Sequence, residues 1–94
     1  MKIVLLDPEH ILSIDDLHRA FAGTLGFPEY YGNNLDALHD CLTDIHDDIG
    51  VIAVDTELLR QNVGPRRWKG FTRLMADLQE EKKLRYAEDP FGKE

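Results

Sequence analysis

The chain has 94 residues, 43% of them apolar, and a formal net charge of −7. That size suits one small domain with one core, and that charge argues against general nucleic-acid binding, whose affinity comes largely from Lys and Arg on phosphates. No apolar run reaches the roughly 18 to 20 residues of a membrane span, and MKIVLLDPEH lacks the long apolar stretch and cleavage site of a secretory leader, so a cytoplasmic protein without membrane contact is expected.

In chain order, Ile3 to Leu6 is a continuous apolar run of the kind found in a strand covered on both faces, stopped by Asp7 and Pro8. Ser13 followed by Asp16 resembles a capping box, and Ile14, Leu17, Phe21 and Leu25 recur at helical spacing until Gly26 offers a stop. After the FPEYYG loop, Asn33 or Asn34 can cap a second helix whose inner face is Leu35, Leu38, Cys41, Leu42 and Ile45. Val51 to Val54 suits a second buried strand. Thr56 can start a short helical turn, and Pro65 after Gly64 opens a helix with Trp68, Phe71, Leu74, Met75 and Leu78 on one stripe. Leu84 to Ala87 alternates weakly, as a third, short strand would. Strands separated by helices require crossover connections, so an α/β fold with a mainly parallel three-stranded sheet is expected over residues 1–89, with 90–94 as a frayed tail.

The acidic residues are unevenly placed. Between Arg19 and Arg60 there is no Lys or Arg, whereas Glu29, Asp36, Asp40, Asp44, Asp47, Asp48, Asp55 and Glu57 supply eight acids. On the second helix Asp36, Asp40 and Asp44 fall within about 80° of one another, roughly opposite the leucine face. Such residues often form nothing more than a solvated face. Here, however, like charges at i,i+4 cost about 0.2 to 0.5 kcal/mol each with no cation in the helix to offset them, and Asp44 lies at the end that the helix dipole makes unfavourable for an anion. Tyr30 and Tyr31 stand just before the helix. Either ring is equally compatible with a core position, but aromatic anchors beside spaced carboxylates have the make-up of a protein interface. A rigid array of acids is complementary to a basic nucleic-acid site.

Other chemistries fit less well. Asp36, His39 and Asp40 share part of a helix surface, but three ligands from one exposed helix leave a metal site incomplete. DIHDDIG has Ile49 where a calcium loop requires glycine. Cys41, the only cysteine, rules out an internal disulfide or a cysteine metal site and is expected to be a small buried side chain. His39 with Asp40 or Tyr30 lacks a nucleophile motif, so no catalytic residue and no cofactor are expected. Arg66, Arg67, Lys69 and Arg73 read as a solvated face balancing the acidic half, or as a second contact patch. His10, His18 and His46 enter no constellation.

PEYYGNNLDALHDCLTD, residues 28 to 44, resembles the barstar family, intracellular inhibitors of secreted bacterial ribonucleases of the barnase type; SIDDLH, residues 13 to 18, adds to the likeness. The resemblance implies a three-stranded parallel sheet packed against helices, and inhibition without catalysis by tight one-to-one binding to a barnase-like ribonuclease, in some cases as a toxin's immunity partner. It implies that the second helix and the loop before it plug the enzyme's active site. Tyr30 would then pack on the enzyme, Asp36 would meet its basic groups and Asp40 would take the place of the substrate phosphate. Tyr31, Gly32, Asn34, His39 and Asp44 would share that face, with Asp77 of the last helix as a further contact. His39 and Ile45 stand where the family carries tryptophans, and KKLRYAEDPFGKE lacks its strongly apolar last strand. A monomer is expected when free, because the acidic face repels its own copy. A regulatory module that uses the same fold and face to grip another basic protein is the second reading.

Overall fold

The computed structural model describes residues 1–90, so the tail expected at 90–94 lies almost wholly outside the described residues. Three strands, β1 (Lys2–Leu6), β2 (Ile49–Ala53) and β3 (Arg85–Glu88), alternate with four helices: α1 (Ile14–Leu25), α2 (Leu35–Thr43), α3 (Thr56–Val63) and α4 (Pro65–Glu80). The sheet is parallel throughout in the order β1-β2-β3, with Val4 opposite Val51 and Val51 opposite Tyr86.

Both crossovers step in the same direction along the sheet. Because such connections are right-handed, all the helices must lie on one face. The expectation of a first strand covered on both faces is therefore corrected: Val4 and Leu6 are buried under the helices, whereas Ile3 and Leu5 are 45% and 54% exposed on the open side. Ile52 and Ala87, in register with Leu5, continue that side.

The helix ends follow from local chemistry. Ser13 caps α1 by accepting from the Asp16 amide at 3.2 Å, while the Asp16 carboxylate reaches back to the Leu12 amide at 2.9 Å. Gly26 ends α1 in the left-handed region at φ 69°, which costs a glycine little. Pro65 occupies the first turn of α4, where no amide hydrogen is needed. Asp55 gives α3 no side-chain cap; instead Asp89, just past β3, accepts from the Thr56 amide and hydroxyl at 3.3 and 2.7 Å.

Phe21 and Phe71 meet edge-on in the core, with Trp68 and Tyr86 also packed on Phe71. Trp68 is buried, as its helical spacing with Phe71 predicts. Leu35 of α2 seats against Gly70 of α4, where an added Cβ would stand 3.1 Å from the leucine methyl. That close approach fixes the start of α2 on the core and turns its acidic side outward.

Candidate functional site

Asn34 decides where α2 begins. Its side-chain oxygen accepts from the Ala37 amide at 2.8 Å and its NH2 donates to the Gly32 carbonyl at 3.2 Å, so one residue caps the helix and pins the loop to it. Asn33, the other candidate, takes a positive φ of 48° instead, a conformation asparagine tolerates better than most residues. From this start the 3.6-residue repeat buries Leu38 and Leu42 and leaves Asp36, Asp40 and Asp44 exposed. The Asp40 side chain is 82% exposed.

Asp44 forms the C-cap, its amide bonded to the Asp40 carbonyl at 3.2 Å. Among the described residues no Lys or Arg is paired with any of these three acids. The His39 imidazole alone approaches one of them, Nδ1 standing 3.5 Å from an Asp40 oxygen and forming an ion pair only when protonated. Their field is therefore uncompensated among the described residues.

The two tyrosines separate. Tyr30 is 89% exposed and stands free beside the helix. Tyr31 is partly buried, so of two rings that the sequence left equally compatible with a core position, this one packs inward. Its ring packs on Phe27 and on His18 at centroid distances of 4.9 and 5.6 Å, and its hydroxyl meets His18 Nδ1 at 2.5 Å. The turn that brings it there closes with the Tyr31 amide donating to the Pro28 carbonyl at 3.0 Å.

Between loop and helix lies a groove of about 480 Å³, floored by Phe27, Tyr31 and Ile45 and rimmed by Tyr30, Asp40 and Asp44. Cys41 also lines it and is only partly buried. The buried cysteine expected from the sequence is corrected to a partly buried one, because residue 41 sits on the flank of the Leu38 and Leu42 stripe. Burial, then the nearby Asp44 and Asp40, pushes the thiol pKa up.

The structure thus brings Tyr30, Tyr31, Gly32, Asp40 and Asp44 around one groove, with Asp36 one turn back on the same helix side and Asn34 holding the two parts together. Asp77 is exposed on α4 and does not line the groove. Arg66 and Arg67 lie at the first turn of α4, where they line a separate shallow depression with Gly64 and Pro65. Among the described residues no cluster of three metal-ligating side chains occurs and no helix is long and apolar enough to cross a membrane.

His18 is the residue that sequence reasoning missed. It is 1% exposed, a polar side chain buried in the core. The signal was available: residue 18 lies four after Ile14 and three before Phe21, inside the apolar stripe of α1 rather than on its flank.

The described residues form a two-layer parallel α/β domain with an acidic helix and an aromatic loop side by side. The sequence matches the family described as Barstar (barnase inhibitor) over residues 1–91, and the chain belongs to that family. It is also 46% identical over 43 residues to a Bacillus subtilis (strain 168) protein named "Putative ribonuclease inhibitor YrdF", a stretch making up 46% of this chain and 47% of that one. The match thus spans about half the length of that relative.

Proposed function

We propose that this protein is a stoichiometric inhibitor of a barnase-like ribonuclease, covering the enzyme's active site with α2 and the loop before it. The carrying observation is the exposed, uncompensated array of Asp36, Asp40 and Asp44 beside the exposed ring of Tyr30. A ribonuclease must hold a phosphodiester with cationic groups, and carboxylates held on a helix can occupy the same cations through charge-assisted hydrogen bonds.

In this reading Asp40 takes the phosphate position, Asp36 and Asp44 extend the field along the groove, and Tyr30 packs on the enzyme. Tyr31, Gly32 and Asn34 fix the loop, His39 flanks Asp40, and Asp77 contacts the rim. The protein is then no enzyme, needs no cofactor, binds one to one and acts where nuclease and inhibitor meet, as an immunity protein does. Membership of the Barstar family and the name of the B. subtilis relative support a ribonuclease as the partner.

The test is a titration of barnase-like ribonuclease activity with the purified protein, including related nucleases from the same source. Activity falling sharply to zero at one equivalent is expected, with binding of the protein to the enzyme weakened by a phosphate-containing substrate analogue that competes for the active site. Binding without loss of activity would overturn the inhibitory reading and leave a regulatory module that grips another basic surface.

A further inference from the structure

Two neighbouring helices carry charges of opposite sign, and neither set is neutralised locally. Arg66, Arg67, Lys69 and Arg73 are exposed on α4, and among the described residues none of their side chains forms an ion pair or a hydrogen bond. The arginines of α1 and α3 behave differently: Arg19 meets Asp16 at 3.2 Å and Arg60 meets Glu57 at 2.6 Å, each about one turn back in its own helix. The first turn of α4 contains no acid, and the helix dipole disfavours cations at that end. Asp77 follows Arg73 by four residues without pairing with it. These cations are therefore held against local preference, as the acids of α2 are.

Gly70 fixes where this charge lies relative to α2. The Leu35 side chain seats against it, so closely that a Cβ at residue 70 would stand 3.1 Å from the leucine methyl. Residues three or four positions apart share one side of a helix, so Arg66 and Arg67 flank that seat on one side and Arg73 on the other. Asp36 directly follows Leu35. Packed helices run about 8 to 10 Å apart, and Asp40 lies about 7.5 Å along α2 from Leu35; together these put Gly70 about 12 Å from Asp40. A specific protein interface covers about 800 Å² on each partner, a disc of about 16 Å radius. A partner centred on Asp40 therefore covers the seat at Gly70 and reaches the arginines beside it.

An enzyme surface that is cationic throughout would be attracted by Asp36, Asp40 and Asp44 and repelled by these arginines within one footprint, and like charges pressed together in an interface are costly. We propose that Arg66, Arg67 and Arg73 form a basic wing of the recognition face, which docks acidic side chains flanking the cationic cleft of the target ribonuclease. The wing rests on the inhibitor reading above and adds to it the kind of ribonuclease that is recognised: cationic in the cleft, acidic on the rim that meets α4. Guanidinium groups suit this task, because their planar fork holds a carboxylate through two parallel hydrogen bonds. A ribonuclease basic all round its cleft is disfavoured, so the wing sets the choice of partner as well as the strength of the grip. Asp77, one turn beyond Arg73, marks where the wing ends.

The experiment measures inhibition of a barnase-like ribonuclease from the same source by wild type, Arg66→Glu, Arg73→Glu and Arg85→Glu. Arg85 is exposed on the open side of the sheet, in register with Gly50 and through it with Ile3, so its reversal makes the same change of net charge away from the recognition face. Added negative charge steers a protein faster onto a cationic enzyme, and Arg85→Glu should bind at least as well as wild type at low salt. Arg66→Glu and Arg73→Glu should each bind about tenfold more weakly than Arg85→Glu. Thermal unfolding of the free proteins separates this loss from damage to the fold: an acid suits the first turn of α4, so Arg66→Glu should be at least as stable as wild type.

Lysine substitution of the enzyme's acidic residues around its cleft completes the test. At one of them the substitution should weaken wild type and restore about tenfold to a wing variant. Wing variants that bind as well as Arg85→Glu, or a loss that no lysine in the enzyme repairs, would overturn the wing and leave the inhibitor reading standing. Absence of inhibition by wild type and by every variant would overturn the inhibitor reading, and the wing with it.

Discussion

Replacing Asp40 by Asn should make the free protein more stable and the inhibitor weaker. Asp40 lies four residues from both Asp36 and Asp44 on α2, its side chain is 82% exposed, and no Lys or Arg is paired with it among the described residues. Each like-charge i,i+4 contact costs about 0.2 to 0.5 kcal/mol, so relieving two of them stabilises by about 0.4 to 1 kcal/mol. The 3.5 Å contact with His39 is exposed on both sides, and its loss offsets little of this. For a domain of this size, each kcal/mol moves Tm by about 4 to 8 °C, giving a rise of about 2 to 8 °C. Thermal unfolding by circular dichroism at low salt measures it, and at about 1 M salt, where the Debye length is about 3 Å, the difference should shrink towards zero. Inhibition should weaken at least tenfold, about 1.4 kcal/mol, as loss of a central charged contact does. A destabilised Asn variant, or one that inhibits as strongly as wild type, would refute the reasoning that the array is held for a cationic partner at the helix's own expense.

The other predictions test the frame and the groove. Leu6→Ala should cost about 2 to 5 kcal/mol in urea unfolding because Leu6 is fully buried, whereas Leu5→Asn next to it should stay within about 0.5 kcal/mol of wild type; equal losses would contradict a sheet open on one side. Asp89→Ala removes the acceptor for the Thr56 amide and hydroxyl and should cost about 1 kcal/mol, seen as a lower urea midpoint with no change in the recognition face. The raised pKa of Cys41 means less thiolate at any given pH, so alkylation should be slower than for a free thiol at about pH 8 and should rise steeply above it. Alkylation at the free-thiol rate would contradict a partly buried sulfur beside Asp44 and Asp40.

Helices α1 and α4 were readable because each carries its own punctuation. Ser13 and Gly26 bracket α1, Pro65 opens α4, and the stripes from Leu17 to Leu25 and from Trp68 to Leu78 keep one phase throughout. Which asparagine caps α2 was not readable, since both side chains suit the position; the choice falls on Asn34 because only its amide also reaches Gly32. The apolar run Ile3 to Leu6 concealed the one-sided sheet, because whether a strand's second face is covered depends on the direction in which later strands are added. At the candidate site the spacing of the three aspartates placed them on one helix side without ambiguity. The unequal fates of Tyr30 and Tyr31 depend on a histidine twelve to thirteen positions away in another helix, a contact that no local pattern reveals.

The hydrogen bonds from Thr56 to Asp89 join two points 33 residues apart and bear on the order in which the molecule is made. During synthesis the acidic helix leaves the ribosome about 40 residues before the strand that completes the sheet, at elongation rates of about 5 to 20 residues per second. Until α4 has also emerged, Leu35 has no Gly70 to seat against. The acidic helix is therefore seated later than it is encoded, and a nascent chain exposes its acids before they are held in place. On the inhibitor reading proposed above, a nuclease produced in the same cell would meet a competent partner only after the fold is complete, so the timing of that completion would be part of the protection.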